Sequence, residues 1–343
     1  MTAFFSLMKK IFLLLVIHLL VTACEPGKHY NKISGPTMGT QFNIIYQSDG
    51  INSEALKDNI VDQLELINQL MSTYIPDSEI NRFNNDQSDN CFVFSSQTWD
   101  VLLAAKDIYH QTHGAFDITV GPLVSRWGFS AEEYHERVPS PLEVAELLAI
   151  VGTDKLQYNH QQQCITKQVK AVQINLSAIA KGYAVDRIAN ILDDFSINNY
   201  LVDIGGESKA KGLNPTGQTW TIAIEKPVSL ARQQAVILSL DNNSIATSGD
   251  YRNYFEYQGQ RFSHTIDPTT GYPITHKLTS ISVIHPSNMY ADGYATALSV
   301  LGEEQALNFA AEMKLPVFII ERDKENIKSY PNVYFENFLK SQQ

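Results

Sequence analysis

Apolar residues along this chain recur at two different periods, and the switches between them outline mixed α and β structure. Leu56, Ile60, Leu64, Ile67 and Met71 are spaced three and four apart, which puts them on one face of an amphipathic helix over residues 53–73. A second helix is expected over residues 97–113, closed by Gly114. Ser140-Pro141-Leu142-Glu143 reads as a capping box with proline at the first helical position, opening a helix to Ile150. Elsewhere the period drops to two. Trp220, Ile222 and Ile224 alternate with Thr221 and Ala223, and core packing is a sufficient account of Trp220. Strand material also covers residues 33–47, broken by the Met38-Gly39-Thr40 turn, and recurs at 155–174, 200–204 and 235–240. Two further strand-like pieces, 251–257 and 261–265, flank Gly259 and run into a turn ending at Gly271. Helices do not alternate strictly with strands. The expected class is α+β, with mixed sheets and flanking helices in a single large domain, rather than a doubly wound sheet.

The first residues follow neither period. Lys9 and Lys10 precede an apolar run over residues 11–21, too short for a span of about 20 residues and suited to a signal peptide. The run ends in Leu20-Val21-Thr22-Ala23-Cys24, which resembles the lipobox of bacterial lipoproteins. The expectation is a signal peptide over 1–23, a lipidated Cys24, a tether over 24–31 and a functional domain over 32–343. A plain signal peptide cut near Ala23 is the alternative, and either version is extracytoplasmic. No linker, repeat or low-complexity run follows.

The formal charge of −11 becomes −13 once residues 1–23, with two lysines and no acid, are removed. So acidic a chain is a poor partner for nucleic acid, and any phosphate ligand needs a local cation. Cys91 and Cys164 can pair in an oxidising compartment, though their sequence gives no geometry, and no cysteine or histidine spacing suggests zinc or haem.

Polar chemistry gathers in three segments. In the first, Ser248, Arg252, His264, Asp267 and Thr269 fall near strand ends, where a scaffold presents groups to a ligand; taken alone, the segment is better explained as a hairpin with a polar tip. In the second, a strand ends near Asn175 and a helix is expected after Ser177, a good N-cap, running to about Phe195. Its first N–H groups and positive dipole end suit an anion. Lys181 makes electrostatic sense there if it meets an anionic ligand, and is otherwise a solvated lysine. Gly182, costly in a helix by about 1 kcal/mol relative to alanine, points to close approach of another segment or a ligand. In the third, Asp292 and Thr296 are four apart and share a helix face. They offer hard oxygen donors suited to Mg²⁺; a dipole-favoured aspartate with a back-bonding threonine is the alternative.

Together the segments resemble the ApbE family of FAD:protein FMN transferases, across essentially the whole chain beyond residue 31. The likeness runs through Met38-Gly39-Thr40, Met71-Ser72-Thr73-Tyr74, Ser78-Glu79-Ile80, Gly114-Ala115-Phe116-Asp117 with its continuation to Leu123, and Trp127-Gly128-Phe129. It continues in residues 177–186, Asp203-Ile204-Gly205-Gly206-Glu207, residues 246–251, Ser263-His264, Asp267-Pro268, Ala291-Asp292 and Thr296. The resemblance implies a Mg²⁺-dependent reaction that cleaves FAD, releases AMP and joins FMN through its phosphate to a threonine hydroxyl. The implied acceptors are flavin-bearing subunits of Na⁺-translocating NADH:quinone reductase or Rnf-type complexes at the periplasmic side of the cell inner membrane. It implies Asp292, Thr296 and the backbone oxygen of Ala178 as metal ligands. Met38, Tyr74, Ala115, Phe116, Asp117, Asn175, Lys181, His264 and Thr265 would line the FAD site.

Within that picture Asp292 and His264 are the catalytic candidates, His264 as a relay for the acceptor proton. A structural His264, an aspartate base, and a structural turn role for Asp117 stay open, and Gly205-Gly206 is either a ligand approach or a tight turn. Three positions depart from the family pattern: Asn175 for a commoner Asp, Gly293-Tyr294 for Ala-Leu, and Thr265 for an aliphatic residue. A Mg²⁺-dependent FAD pyrophosphatase and a non-catalytic FAD-binding lipoprotein are the competing functions.

Overall fold

The computed structural model describes residues 28–129, 138–225, 234–249, 254–323 and 326–342. Cys24, Tyr251 and Arg252 lie outside the described residues, and so does the leader preceding Cys24. In chain order the elements begin with strands β1 (Tyr30–Thr37) and β2 (Thr40–Gln47), helices α1 (Ser53–Met71) and α2 (Glu79–Asn85), β3 (Phe92–Val93) and α3 (Ser96–Gln111). There follow α4 (Gly121–Arg126), α5 (Pro141–Leu148), β4 (Leu156–Asn159), β5 (Cys164–Lys167) and α6 (Ala180–Asp194). Strands β6 (Tyr200–Ile204), β7 (Glu207–Lys211), β8 (Trp220–Glu225), β9 (Gln234–Leu240), β10 (Asn243–Gly249), β11 (Tyr254–Tyr257), β12 (Gln260–Ser263) and β13 (Leu278–His285) come next. The chain ends with α7 (Asn288–Glu312), β14 (Val317–Asp323), β15 (Asn326–Pro331) and α8 (Val333–Lys340).

Eight strands form one sheet in the order β1-β2-β6-β7-β10-β13-β14-β15, every neighbour antiparallel. Period-two patterning gives this sheet two apolar faces. In β14, Val317 and Ile319 join the core shared with α1, α6 and α7, whereas Phe318 and Ile320 join a second core. That second core holds Trp220, Ile224, Leu238 and Leu240 of the β8–β9 hairpin together with Phe335 of α8. Trp220 is therefore the core residue its spacing suggests, and its Nε1–H donates to the Lys211 carbonyl at 3.1 Å. A third cluster, around Leu123, Trp127, Val144, Phe255 and Ile266, packs α4 and α5 against the β11–β12 hairpin.

The helical expectations hold closely. The apolar stripe of α1 is buried at all five positions, and the capping box at Ser140 is formed by both Ser140 and Glu143. Cys91 and Cys164 are joined in a disulfide with their Cα atoms 5.4 Å apart, next to the β3–β5 pairing. It closes a loop of 73 residues, a long span for which chain entropy in the unfolded state gives about 4 kcal/mol. Helix α7 is broken at Gly302 (φ 74°, ψ 175°), where the His276 ring lies against the kink.

Candidate functional site

The middle of the sheet, the start of α6 and the first turns of α7 enclose one cavity of about 1280 Å³. Its floor is set by a close helix crossing. A Cβ on Gly182 would lie 2.4 Å from the Asn288 carbonyl oxygen and 2.8 Å from the Asp292 Cβ, so only glycine lets α6 touch α7 there. The contact aims Asp292 at the helix start: its Oδ2 accepts the Gly182 N–H at 2.9 Å. A carboxylate thus caps an N–H group left free by helix geometry, at the positive end of the dipole. Asn288, one turn earlier on the same face of α7, donates to the carbonyls of Ser208 and Ile245 at 3.1 and 3.0 Å. Those two bonds tie the helix to β7 and β10.

The start of α6 departs from the expectation. The helix begins at Ala180, and Ile179 precedes it with no side-chain cap. Ser177 is not the N-cap: it lies three residues before the helix and belongs to a turn closed by the Asn175 side chain. Its N–H and Oγ–H give to Asn175 Oδ1 at 2.9 and 2.6 Å, closing a short turn over Asn175. The N–H groups of Ile179 and Ala180 bond to the Leu176 carbonyl instead. Asn84 holds the preceding stretch by bonds in both directions with the Ile174 backbone, at 2.9 and 2.7 Å.

Lys181 lies in the first turn of α6 and meets an anion of its own chain. Its ammonium is 2.5 Å from Glu207 Oε1, with the Glu207 side chain only 2% exposed and that of Lys181 30%. Burial works against the ammonium, but Glu207, Asp292 and Asp203 outweigh it and hold the Lys181 pKa above the usual lysine value. Glu207 Oε2 also accepts the Thr247 N–H at 3.2 Å. Asp292 is 6% exposed, and burial together with Glu207 pushes its carboxyl up to about 7, against the opposing pull of Lys181 and the Gly182 N–H. Burial likewise raises Asp203, whose Oδ2 accepts the Ser208 hydroxyl at 2.7 Å.

Glu207 was hidden in the sequence behind Gly205-Gly206. Both glycines have positive φ (62° and 99°), the geometry of a two-residue turn between paired antiparallel strands. The tight-turn reading accounts for them, and the register Ile204↔Glu207 then sets Glu207 directly beyond the turn, at the cavity. The hairpin signal Gly-Gly-Glu after a strand was the available clue.

Of the residues the sequence nominated, Tyr74, Ala115, Phe116, Asp117, Asn175, Ala178, Lys181, His264, Thr265, Asp292 and Thr296 all line the cavity. Met38 does not: it sits in the β1–β2 turn with φ 48° and packs against the main core. Tyr74 stands at the rim, 65% exposed. Asp117 is committed within the protein. Its Oδ1 accepts from the Thr119 N–H, the Thr119 hydroxyl and the Thr153 hydroxyl, and its Oδ2 from the Thr153 N–H. Those bonds give it a structural role in its turn while it also lines the cavity. The half-buried His264 ring lies edge-on to Phe129 at 6.3 Å.

Among the described residues no three His, Cys, Asp or Glu side chains cluster as a metal site. The oxygens at the cavity floor still suit a hard divalent cation. Asp292 is a buried carboxylate whose charge its surroundings resist, and Thr296 lies one turn further on the same helix face, with Ala178 lining the same cavity. A cation there would relieve the desolvation of Asp292.

Comparison with known proteins gives the family. The ApbE family model matches residues 38–319. The chain is 44% identical over 323 residues to the FAD:protein FMN transferase of Vibrio cholerae, covering 94% of this chain and 96% of that one. It is 37% identical over 313 residues to the FAD:protein FMN transferase of Escherichia coli K12, covering 90% and 89%. The solved flavin transferase ApbE from Vibrio cholerae superposes with a TM-score of 0.84 at 42% identity, over 91% of this chain and all of that one. The apo flavinyl transferase ApbE of Pseudomonas stutzeri gives 0.84 at 36% identity, covering 91% and 97%. A family match over this much of the chain, with relatives of this identity, places the protein in the ApbE family.

Proposed function

We propose that this protein is an FAD:protein FMN transferase that uses Mg²⁺ to move FMN from FAD onto a threonine hydroxyl of an acceptor protein, releasing AMP. The observation that carries the reading is a single large cavity in an acidic chain where Lys181, the start of α6 and the oxygen donors of α7 converge. The Lys181 ammonium and the hard oxygens suited to a divalent cation together suit a pyrophosphate better than a neutral ligand. The relatives named as FAD:protein FMN transferases support the transfer of FMN from FAD.

Ala178, through its carbonyl oxygen, Asp292 and Thr296 are the residues that would hold Mg²⁺. When bound, the metal supplies charge neutralisation on the pyrophosphate and its leaving phosphate. The chain's own groups do the positioning. Glu207 keeps the Lys181 ammonium in place, and Lys181 lends its remaining donors to the pyrophosphate. Asn175 and Asn84 hold the strand-to-helix segment that forms the cavity wall. In the transfer step the threonine oxygen bonds to the FMN phosphorus, and the bond from that phosphorus to the AMP oxygen breaks. AMP leaves, and the hydroxyl proton passes to a base, for which His264 is the histidine of the cavity lining.

The test is incubation with FAD, Mg²⁺ and a flavin-bearing subunit of a Na⁺-translocating NADH:quinone reductase, followed by intact-mass analysis. A mass gain of FMN on the subunit with AMP in equal amount, stopped by EDTA and restored by Mg²⁺, is the expected result. AMP and free FMN without a mass gain would make the protein a hydrolase, and tight FAD binding without AMP would make it a binding protein.

No helix among the described residues is long and apolar enough to cross a membrane. We place the protein at the periplasmic face of the inner membrane through a lipid on Cys24, on the strength of the Leu20–Cys24 context. Cys24→Ser is expected to release it from the membrane fraction; retention after a high-salt wash would refute the anchor.

A further inference from the structure

Strand β8 is hydrogen-bonded along one edge only. It pairs with β9 from Trp220↔Leu240 onward, and among the described residues it has no second neighbouring strand. Nor does the backbone between Thr221 and Ile224 make any other backbone hydrogen bond among those residues. Ile222, Ala223 and Ile224 nevertheless all line the cavity. Successive side chains of a strand point to opposite faces, so three consecutive residues meet one cavity only along the strand's edge. The described residues of β9, on the far side of β8, are absent from that lining. The unpaired N–H and C=O groups of β8 therefore face the space where the reaction takes place.

An edge of this kind is a template for another extended chain. We infer that the acceptor polypeptide enters as an added strand on the free edge of β8, with its hydroxyl-bearing residue projecting into the cavity. The inference rests on the transferase reading, which makes the second substrate a polypeptide whose threonine must reach the same cavity as FAD. A run of three residues spans about 10 Å, enough to register a short extended segment on either side of the modified residue. Main-chain hydrogen bonds give such binding its affinity, and the alternate side chains give selectivity. On one face the added strand continues the buried surface of Trp220 and Ile224. On the other it lies beside exposed Ala223 and the Ile237 opposite it, which is 56% exposed. The edge thus accepts an extended segment with small or apolar residues around its threonine.

Amide hydrogen exchange on the wild-type protein tests this without any variant. Exchange is followed for residues 221–224 in three samples held in EDTA: the protein alone, with FAD, and with FAD plus the flavin-bearing quinone reductase subunit. The expected result is that the subunit slows at least one of these amides tenfold or more beyond the effect of FAD, while amides of β9 hold their rates. Equal protection by FAD alone would assign the edge to the dinucleotide and overturn the inference. Unchanged exchange with a subunit that the same preparation flavinylates in Mg²⁺ would overturn it too, leaving the transferase reading intact. If the subunit gains no FMN mass in Mg²⁺, the transferase reading fails first and this inference falls with it.

Discussion

The α6–α7 junction and the β8–β9 hairpin are walls of the same cavity, built by opposite rules. At the junction two helices touch backbone to backbone, with Asn288 carbonyl and Asp292 Cβ occupying the space a Gly182 side chain would need. The charged groups there have close partners within the protein: Asp292 with Gly182, Lys181 with Glu207, Glu207 with Thr247. The hairpin instead lays one apolar face on the sheet and leaves its other face exposed, as Ala223 and Ile237 show. The contrast separates a wall that must hold charges still from one that leaves room for a substrate. Preorganised charge is effective because it costs no rearrangement during the reaction.

The largest effect is expected at the junction's carboxylate. Asp292→Asn keeps the shape and removes the charge that faces Gly182 and the would-be metal ligands. We expect FMN transfer to fall by about 10³-fold, roughly 4 kcal/mol of barrier. Thr296→Val, which removes a neutral donor, should cost less. Steady-state rates at saturating FAD measure both, and near wild-type turnover in Asp292→Asn would remove this carboxylate from the chemistry. Next is Gly182→Ala. The added methyl has backbone on its far side and cannot swing away, so overpacking of about 2–3 kcal/mol is expected, read as a lower Tm together with lost transfer.

How far the sequence showed all this depends on the range of the interaction. Local signals were readable: the α1 stripe, the Ser140 capping box, the Asp292 and Thr296 face and the unusual glycine at 182 each follow from spacing within a few residues. The strand-to-helix segment was placed correctly but the start of its helix was not, since the Asn175 side chain folds Ser177 into a local turn and the helix begins only at Ala180. Partners brought together by the sheet were invisible. Lys181 and Glu207 are separated by 26 residues and meet only because the β6–β7 turn carries Glu207 to the helix start. Nor did anything in the neighbourhood of Asp117 reveal Thr153, 36 residues on, as its partner.

The junction's charge also sets a pH dependence. The Asp292 carboxyl is raised from the ordinary aspartate value of 3.8 to about 7, so the folded protein holds a proton that the unfolded chain has lost. Its contribution favours folding at low pH and is lost as pH rises between about 4 and 7. In EDTA we expect unfolding free energy to fall by about 1–2 kcal/mol between pH 5 and pH 8 from this group, relaxation and pairing with Lys181 reducing the full linkage. Denaturant titrations of wild type and Asp292→Asn at the two pH values isolate it, because the variant should lose the dependence. A wild-type-like slope in the variant would assign the effect to other groups. Mg²⁺ should flatten the wild-type profile, since a bound cation favours the ionised carboxylate that burial and Glu207 disfavour.

The smallest effect is expected on the hairpin, and it is the sharpest test of the contrast. Ile237 is 56% exposed and pairs with Ala223 across β8 and β9, so Ile237→Ser removes little buried surface and leaves the backbone pairing intact. A surface change of this kind is worth about 0.5 kcal/mol or less. We expect the denaturant midpoint and the affinity for FAD to stay at wild-type values, in contrast to the several-degree loss from one methyl at Gly182. Urea unfolding and FAD fluorescence titration of the two variants side by side make the comparison. If Ile237→Ser destabilises as much as Gly182→Ala, the hairpin's outer face is packed in solution against something, and the open-wall description fails. If stability and FAD affinity hold while the KM for the acceptor subunit rises, the exposed face serves the second substrate alone, and the division of labour between the two walls is confirmed at its weaker side.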